Sequence, residues 1–483
     1  MKDKTVKKIV VTSGILLFCY MFIVVACNTG SKRVSTDTKQ PAGRNDEATT
    51  FDEDTPPDQL IVWRKPGKTR QEVEKWLDYF RRRHGNVSEK YSCGSCDNSL
   101  MLLFGPGVKT YIQTESVKGQ VTAGSQSPTT GEDGPVFYSR NYRVRHKKPY
   151  MPRITSVERP SPVNNLGRSV KVAVFDTGIE PGELSNYAYN YSGSSCIAGA
   201  ESGWNFIKQN RDYRDDNDIK HGTIVTRFIT DQVVKAKRNR IEVLPVKTHD
   251  ANGISDLFNV LCAFAYAKEM GVQVVNASFG FYVPRRMLSP EDDPYDPNVL
   301  LLRKYIEHYL TKNNILLITA AGNSDKVNLR RTFEEHGRPY RPTDPRDLNQ
   351  VSFYPASLAR NPDFANVIAV TTVFINKGKG SVSPDQNFSK DVVDIGVMAD
   401  GASKDDYVFN NPLLNKNETV NGSSFAAPIV TGIICANYDR IKTVINRKGF
   451  KKDDIWKELG SQFVSRNETL TDKIKGGKVI VRL

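Results

Sequence analysis

Residues 421–428 read Asn-Gly-Ser-Ser-Phe-Ala-Ala-Pro, and they open an apolar stretch that continues to Arg440. The spacing of the apolar residues predicts a helix over 424–440, so Ser424 stands where a helix begins. Free backbone N–H groups and the positive end of the helix dipole stabilise negative charge at such a position. Pro428 is expected in the first turn, where no backbone donor is needed. Ser424 is therefore a candidate nucleophile whose oxyanion the helix start would stabilise.

Two earlier motifs supply the partners that a serine nucleophile needs. Residues 172–178, Val-Ala-Val-Phe-Asp-Thr-Gly, end an apolar run with an acid, Asp176. His221 is followed by Gly-Thr and then by a largely apolar run. A carboxylate can fix the tautomer of an imidazole, and the imidazole can take the serine proton and pass it to a leaving amine. Together the motifs predict a triad of Asp176, His221 and Ser424.

Short apolar runs alternate with helical patterns around these motifs. Strands are predicted at 170–175, 241–246, 272–277, 315–320, 367–373 and 392–397, and helices at 256–269, 299–312 and 424–440. Such alternation indicates a mostly parallel sheet with helices on both faces. Reactive groups in such sheets gather beyond the carboxyl ends of the strands, where Asp176 is placed.

The order Asp, His, Ser and the residues around it resemble the subtilisin-like serine proteases, the subtilase family. The resemblance covers 165–483 and includes residues 244–247, 250–253, 354–356, 367–370 and 476–479. It implies an α/β, subtilisin-like three-layer fold with a mostly parallel central sheet. It also implies a serine endopeptidase with Asp176, His221 and Ser424 as catalytic residues, and a cis peptide bond before Pro355.

The same resemblance assigns roles around the nucleophile. Asn323, which ends an apolar run, would be the amide donor of the oxyanion hole. The backbone of Ser278, Phe279 and Gly280 would pair with substrate as an added strand, so that main-chain hydrogen bonds give affinity and side-chain pockets give selectivity. Phe353 occupies a position that lines the primary specificity pocket in relatives. We hypothesise that its ring shortens this pocket and favours small or medium residues before the scissile bond.

Several positions depart from the family pattern without removing a catalytic group. Ile224 replaces a second histidine, Thr226 and Arg227 replace small residues, Ser423 replaces a threonine, and Asp400 replaces a proline. The family's calcium loops do not map onto this chain, so no metal site is assigned and no cofactor is required. Four acidic residues precede the histidine motif: Asp212, Asp215, Asp216 and Asp218. They are interpreted as a solvated loop, with calcium binding as the alternative.

The N-terminus predicts export. Four lysines within the first eight residues precede a mostly apolar stretch, and together they form a signal sequence over 1–26. The residues before Cys27, Val-Val-Ala, resemble a bacterial lipobox, which implies that Cys27 is lipidated. A plain transmembrane anchor is the alternative. Both interpretations place the rest of the chain outside the cytoplasm, anchored in the bacterial cell envelope, with residues 27–56 as a flexible polar tether.

Residues 57–115 predict a small α+β unit. Strands are predicted at 60–63 and 100–104, and an amphipathic helix over 69–83 whose Thr-x-x-Glu start fits a capping box at Thr69. This arrangement resembles the inhibitory propeptide that precedes many subtilases, although the sequence does not place a second helix. The unit would chaperone and inhibit the enzyme until the chain is cut.

The remaining segments are a linker with a basic arm, 116–164, and the catalytic domain, 165–483. Two insertions, 282–296 and 326–350, flank the expected cleft and are expected to govern access to it.

Composition excludes some classes of protein and leaves others. The net charge is +14, but the basic residues are spread along the chain without zinc-finger spacing or a phosphate-binding loop, so nucleic-acid binding is not expected. Cys93 and Cys96 favour a local disulfide over a zinc site in an exported protein. Cys262 and Cys435 are interpreted as buried thiols. The histidines other than His221 are interpreted as structural or solvent-facing: His84, His146, His249, His308 and His336.

The leading interpretation is an exported endopeptidase that forms an acyl-enzyme at Ser424. Its partners would be a protein or peptide substrate, its own N-terminal unit and, through a lipid, a membrane. Two alternatives stay open: a non-catalytic binding or scaffold protein on the same fold, and a protease restricted to self-processing or to one partner.

Overall fold

In the computed structural model, the described residues are 58–90, 93–117, 134–145, 169–189, 191, 193–237, 239–283, 297–324, 329–330, 342–403, 406–414 and 418–480. Cys27, the predicted signal sequence and the predicted tether lie outside these ranges. Within them, no helix is both long enough and apolar enough to cross a membrane.

Residues 58–140 are named the N-terminal unit. Its elements are β1 (Gln59–Arg64), α1 (Arg70–His84), β2 (Ser88–Lys90), β3 (Leu100–Phe104), α2 (Pro106–Val117) and β4 (Val136–Arg140). The strands form an antiparallel sheet in the order β2-β3-β1-β4. The predicted end of the unit at residue 115 is wrong, because β4, from the predicted linker, pairs with β1 from Leu60↔Arg140 to Arg64↔Val136. Helix α2 is the second helix that the sequence did not place.

Helix α1 begins as predicted. The N–H of Glu72 donates to Thr69 Oγ1 at 3.2 Å, and the N–H of Thr69 donates to Glu72 Oε2 at 2.7 Å. The capping box is therefore confirmed.

The two faces of the N-terminal sheet have different neighbours. Leu60 and Val62 point toward α1 and α2 and pack in one apolar cluster with their residues. Ile61 and Trp63 alternate with them, point to the opposite face and join the large core of the rest of the chain. The N-terminal unit is therefore packed against the rest of the chain by one face of its sheet.

Beyond the N-terminal unit, strands and helices alternate as predicted. They are β5 (Arg143–Arg145), β6 (Ser169–Asp176), β7 (Trp204–Asn205), α3 (His221–Ala236), β8 (Arg240–Lys247), β9 (Ile254–Asp256), α4 (Leu257–Glu269), β10 (Val274–Ala277), β11 (Phe281–Val283), α5 (Pro297–Tyr309), β12 (Leu316–Ala320), β13 (Ser352–Tyr354), β14 (Val367–Asn376), β15 (Lys379–Val382), β16 (Ile395–Met398), β17 (Gly401–Ala402), β18 (Tyr407–Asn410), β19 (Thr419–Asn421), α6 (Ser423–Ala436), α7 (Tyr438–Ile445), α8 (Lys452–Leu459), β20 (Val464–Arg466) and β21 (Lys478–Ile480). Short 3₁₀ helices lie at Pro181–Leu184, Thr311–Asn313, Ala356–Arg360, Pro362–Phe364, Glu468–Leu470 and Lys475–Gly477.

The central sheet has the strand order β20-β21-β16-β14-β12-β10-β6-β8-β7, with β15 paired to β14. The pairs from β7 to β21 are parallel, and β15 and β20 add antiparallel edges. Helices cover both faces. The predicted fold class, a mostly parallel three-layer α/β fold preceded by a small α+β unit, is confirmed.

Alternation along β6 shows how the layers form. Val172 and Val174 pack with residues of α3, α6, α7 and α8 in one core cluster. Ala173 and Phe175 pack with residues of α4 and α5 in the other, which also contains the inner face of the N-terminal sheet. A strand buried on both faces in this way reads as a continuous apolar run, which is why it was predictable.

The cysteines pair differently from the prediction. Disulfides join Cys93 to Cys262 and Cys96 to Cys196, so the predicted Cys93–Cys96 pair and the predicted free thiol of Cys262 are both wrong. Spacing along the chain favoured the local pair, but the fold brings the loop after β2 against α4. Cys435 is a buried thiol, as predicted. The predicted cis peptide bond before Pro355 is also confirmed.

Candidate active site

Three elements bring the predicted triad together. Asp176 is the last residue of β6, His221 the first residue of α3, and Ser424 the second residue of α6. The distance from Asp176 Oδ1 to His221 Nδ1 is 2.7 Å, and that from His221 Nε2 to Ser424 Oγ is 3.1 Å. All three side chains are buried, with Ser424 the most exposed at 6%. The arrangement can pass a proton from a hydroxyl to an imidazole that a carboxylate orients.

Local packing explains the residue that follows the histidine. A Cβ at Gly222 would lie 2.1 Å from the carbonyl oxygen of Gly178 and 3.0 Å from Cβ of Asp176. A side chain at this position would push the start of α3 away from the end of β6. The glycine therefore allows the two elements to approach closely enough for the contact between Asp176 and His221.

Helix α6 differs from the prediction at its proline. Pro428 is the sixth residue of the helix, not part of its first turn, so it leaves the carbonyl of Ser424 without the usual N–H donor. The hydroxyl of Ser278 donates to this carbonyl at 2.8 Å, and Asn276 Nδ2 donates to Ser278 Oγ at 3.0 Å. Ser278, predicted as part of the substrate strand, therefore also holds the backbone of the candidate nucleophile.

Asn323 is oriented by the residue before the nucleophile. Its Oδ1 accepts from the N–H of Ser423 at 3.0 Å, which fixes the amide so that Nδ2 faces the other way. A Cβ at Gly422 would lie 3.0 Å from Asn323 Nδ2 and 3.3 Å from Ser424 Oγ, so these two atoms converge on one small volume. The amide and the start of α6 can together donate to an oxyanion formed there.

Ser423, which stands where the family usually has a threonine, makes two polar contacts with its hydroxyl. Its hydroxyl accepts from the N–H of Gly322 at 3.1 Å and lies 3.2 Å from Asn323 Oδ1. A hydroxyl is the only group that these contacts need, so the departure is structurally neutral.

Asp215 belongs to the site, although the sequence did not single it out. Its Oδ2 accepts from the N–H and hydroxyl of Thr223 at 3.0 and 2.8 Å, and its Oδ1 accepts from the hydroxyl of Thr177 at 2.9 Å. Asp215 thus ties the residue after Asp176 to the first turn of α3. Burial raises its pKa to about 6, and the nearby charge of Asp176 acts in the same direction, while hydrogen bonds from Thr223 and Thr177 oppose the rise.

The acidic residues before His221 do not share one environment. Asp215 is buried, which corrects its interpretation as part of a solvated loop. Asp216 pairs with Lys247 at 2.7 Å, and Asp212 lies 3.6 Å from Arg214. These contacts do not fit a calcium site. Among the residues that the structure describes, no group of three or more His, Cys, Asp or Glu side chains could hold a metal ion.

A segment of the chain itself lies along the predicted substrate strand. The N–H of Arg145 donates to the carbonyl of Gly280 at 3.2 Å, and the N–H of Gly280 donates back at 3.4 Å. On its other side β5 pairs antiparallel with β9, from Arg143↔Asp256 to Arg145↔Ile254. The predicted basic arm is therefore a strand at this point, held between β9 and the candidate substrate strand. The alternation of Tyr142 and Val144, both buried, with two arginines was the available signal.

Phe353 fills space beside the predicted pocket walls. Strand β13 pairs with β11 and sets Phe353 opposite Tyr282. A Cβ at Gly280 would lie 2.3 Å from the ring of Phe353, and one at Gly322 would lie 2.7 Å from it. The ring thus packs between two glycines, one on the candidate substrate strand and one beside Asn323.

The other described histidines, His84, His249 and His308, pack against aromatic rings. His249 is buried with its ring centroid 4.7 Å from that of Phe279. His308 packs against Trp63, and burial lowers its pKa, with the charge of Lys312 acting in the same direction. His146, His336 and most of the two insertions lie outside the described residues.

The chain is similar to one known protein family and to several solved structures. The family model described as "Subtilase family" matches residues 167–444. The structure is similar to the epidermin leader peptide processing serine protease EpiP from Staphylococcus aureus, with 16% identity, coverage of 87% of this chain and 96% of that chain, and a TM-score of 0.50. It is also similar to fervidolysin from Fervidobacterium pennivorans, a keratinolytic enzyme related to subtilisin, with 16% identity, coverage of 87% and 60%, and a TM-score of 0.52.

At these identities the two structural similarities show a shared fold. No curated protein sequence matches the chain. The family match spans more than half of the residues, and it includes the strand, the histidine motif and the helix that carry the three side chains. The chain therefore belongs to the subtilase family.

Proposed function

We propose that this protein is a serine endopeptidase that hydrolyses peptide bonds through an acyl-enzyme at Ser424. The observation that carries the proposal is the continuous series of contacts from Asp176 through His221 to Ser424, at 2.7 and 3.1 Å. His221 takes the proton of Ser424 Oγ as the hydroxyl attacks the scissile carbonyl, and then gives it to the leaving amine. Water, activated by the same imidazole, releases the acyl group.

The tetrahedral intermediate would be stabilised by Asn323 Nδ2 and by free N–H groups at the start of α6. Such donors act at full strength because their positions are fixed before the reaction begins. Here the contact of Asn323 with Ser423 supplies that fixation on the amide side. The proposed reaction needs no redox cofactor, since nucleophile, base and donors all come from this chain.

Substrate would bind as an extended strand beside Gly280. The pairing of Arg145 with Gly280 and of β5 with β9 supports this mode, because a segment of this chain already makes the same main-chain contacts. It also supports an inhibitory role for the N-terminal unit together with β5, which directly follows it, because a substrate and β5 would compete for the same edges.

We further propose that Phe353 restricts the residue before the scissile bond to small or medium side chains, because its ring packs against Gly280 and Gly322. Profiling a peptide library with wild type and Phe353→Gly tests this. The variant should accept larger residues at that position. An unchanged preference would contradict the proposed role of Phe353.

The location of the protein is a separate proposal. Cys27 would be lipidated after removal of residues 1–26, which anchors the chain outside the cytoplasm of a bacterium. Two disulfides between distant cysteines support an oxidising compartment. Mass spectrometry of the mature N-terminus decides it: an unmodified N-terminus upstream of residue 27 would contradict the proposal.

Labelling with a fluorophosphonate probe tests the catalytic proposal. Wild type should label once the N-terminal unit has been removed, and Ser424→Ala should not. Absence of labelling in the wild type under these conditions would instead favour the non-catalytic scaffold.

A protease restricted to its own chain is the second candidate. The seating of β5 in the cleft favours it, because the first peptide that the site meets is part of the same molecule. Hydrolysis of an unrelated unfolded protein by unlabelled enzyme, freed of its N-terminal unit, would exclude this restriction.

A further inference from the structure

Two disulfides join the N-terminal unit to the part of the chain that follows β5 and carries the triad, which is named the catalytic part. Cys93 and Cys96 lie in the loop between β2 and β3, and their partners lie 169 and 100 residues further along the chain. Cys262 is on α4, and Cys196 is in the segment before β7. Both partners follow β5 in the sequence. Each bond therefore crosses from the N-terminal unit to the part that carries the triad.

The contact around these bonds is extensive. The N–H and the hydroxyl of Ser95 donate to the carbonyl of Cys196 at 2.9 and 2.7 Å. Next to Cys96, Asp97 accepts from the hydroxyl of Tyr305 at 3.0 Å. The ring centroid of Trp63 lies 5.0 Å from that of Tyr305. The disulfides thus lie within a packed interface on the α4 and α5 side of the molecule.

The strand that directly follows the N-terminal unit pairs with the candidate substrate strand. Strand β4 is followed by β5, whose Arg145 pairs with Gly280. A cut between residues 145 and 169 would separate the chain into an N-terminal and a C-terminal piece. The two disulfides would still join these pieces, and β5 would still belong to the retained N-terminal piece.

We propose that the N-terminal unit is a covalently retained inhibitor, so that cutting the chain does not free the cleft and reduction of both disulfides by a dithiol does. This deepens the proposed protease function and rests on it where the cleft is concerned. A tethered strand competes with substrate at a local concentration on the order of millimolar, whereas an untethered one can be diluted away. Control by a thiol reductant follows from where the disulfides lie.

Each disulfide is reduced by two thiol–disulfide exchanges in succession. First, one thiolate of the dithiol attacks a cystine sulfur and releases a protein thiolate that takes up a proton. The second thiol then closes on the mixed disulfide, so the dithiol becomes a cyclic disulfide and the protein gains two thiols. Two dithiols are oxidised for the two bonds.

The two bonds differ in exposure. Cys196 is half-buried, whereas Cys93 and Cys262 are each only 1% exposed. A reductant therefore meets the Cys96–Cys196 bond first, and the Cys93–Cys262 bond opens after the loop has loosened. Both bonds join the N-terminal unit to the catalytic part. Among the described residues, no disulfide lies within the catalytic part itself, so reduction removes no crosslink from it.

The test uses the full chain with a recognition sequence for a site-specific protease inserted between Arg145 and Ser169. After the cut, wild type should run as one disulfide-linked species on a denaturing gel without reductant and as two pieces with dithiothreitol. The double variant Cys93→Ser/Cys96→Ser should give two pieces without reductant. Cys435→Ala, which removes a thiol outside both bonds, should behave as wild type. Separation of the cut wild type without reductant would overturn the proposal.

The second arm measures fluorophosphonate labelling of Ser424 in the cut protein at low nanomolar concentration. Dithiothreitol should raise the labelling rate of wild type at least about tenfold, because the inhibitor loses its local concentration. The double variant should label at the fast rate without reductant. Equal rates in wild type before and after reduction would overturn the gating. No labelling in any arm would refute the protease function and with it the gating, while the gel still decides whether the unit is tethered.

Discussion

The two helix layers on either side of the central sheet carry different things. The layer of α3 and α6 carries His221 and Ser424. The layer of α4 and α5 carries the N-terminal unit, through the disulfide at Cys262 and the contact of Tyr305 with Trp63. The helices that carry His221 and Ser424 and the helices that hold the N-terminal unit thus lie on opposite faces of the central sheet. Strand β5 connects the two sides, because it follows the N-terminal unit and pairs with Gly280.

The two layers are also held by different forces. Buried polar groups organise the catalytic layer: Asp215 links two turns, and Ser278 supports the carbonyl of Ser424. Aromatic packing and disulfides organise the other layer. Buried ionisable groups in polar networks respond to pH, whereas apolar packing does not. Substitutions should therefore affect one layer at a time, and substitutions in the two layers should differ in pH dependence.

The largest expected effect is on the catalytic layer alone. Asn323→Ala should lower kcat about 10²–10³-fold, the range found for the amide donor in subtilisin, because one oxyanion donor is lost. KM should change little, since the donor acts mainly on the transition state. Steady-state hydrolysis of a peptide by the freed enzyme measures both. Asn446→Ala, which removes an exposed asparagine hydrogen-bonded to Asn314, is the matched control and should leave both unchanged.

The same variant tests whether the two layers are independent. After the chain is cut between Arg145 and Ser169, Asn323→Ala should retain the N-terminal unit on a non-reducing gel as wild type does. Loss of retention would show that the two layers are coupled through the sheet.

A second effect depends on pH. The pKa of Asp215 is raised from 3.8 to about 6 in the folded protein, so between these values the folded state holds a proton that the unfolded state has lost. Its contribution to the free energy of unfolding is therefore greatest below pH 3.8 and falls as pH rises to about 6, by about 3 kcal/mol in total. Asp215→Asn, in a Ser424→Ala background, should remove this fall.

Urea unfolding at pH 4.5, 5.5 and 7 measures the difference between Asp215→Asn and its parent. Asp216→Asn is the control with the opposite sign. Although burial alone would raise the pKa of Asp216, pairing with Lys247 outweighs it and holds the pKa below its usual value. The stability that Asp216 contributes is present above pH 3.8 and is lost as pH falls. A parallel pH dependence for the two variants would contradict the assignment of Asp215 to the buried network.

The catalytic layer could largely be predicted because its groups sit in short local patterns. Asp176 ends a buried strand, and His221 and Ser424 begin helices, so position on an element and chemistry coincide in a few residues. The burial of Asp215 was not predicted, because the sequence shows four acidic residues within seven positions but does not show which of them is buried. Burial there is decided by Thr177 and Thr223, which the fold supplies from either side.

The N-terminal side was harder because its contacts join distant parts of the chain. Four paired cysteines allow three connectivities, and spacing alone favoured the local one. Helix α2 begins with Pro106 and Gly107, residues that sequence patterns associate with breaks. Proline suits the first helical position, and a Cβ at Gly107 would lie 2.7 Å from the carbonyl of Gly85. Strand β5 takes its partners from Ile254 to Gly280, more than a hundred residues away.

The smallest expected effect lies in the N-terminal unit and leaves the catalytic layer untouched. Thr69→Ala removes the side chain that caps α1 and should cost about 1 kcal/mol, which corresponds to roughly fivefold faster hydrogen exchange of the first α1 amides. Arg70→Ala, which removes only an exposed ion pair with Glu74, should change that exchange far less. Labelling of Ser424 in the cut and reduced protein should be the same for both variants. A slower rate in Thr69→Ala alone would mean that order in α1 is transmitted to the triad. The central sheet would then couple the two helix layers energetically.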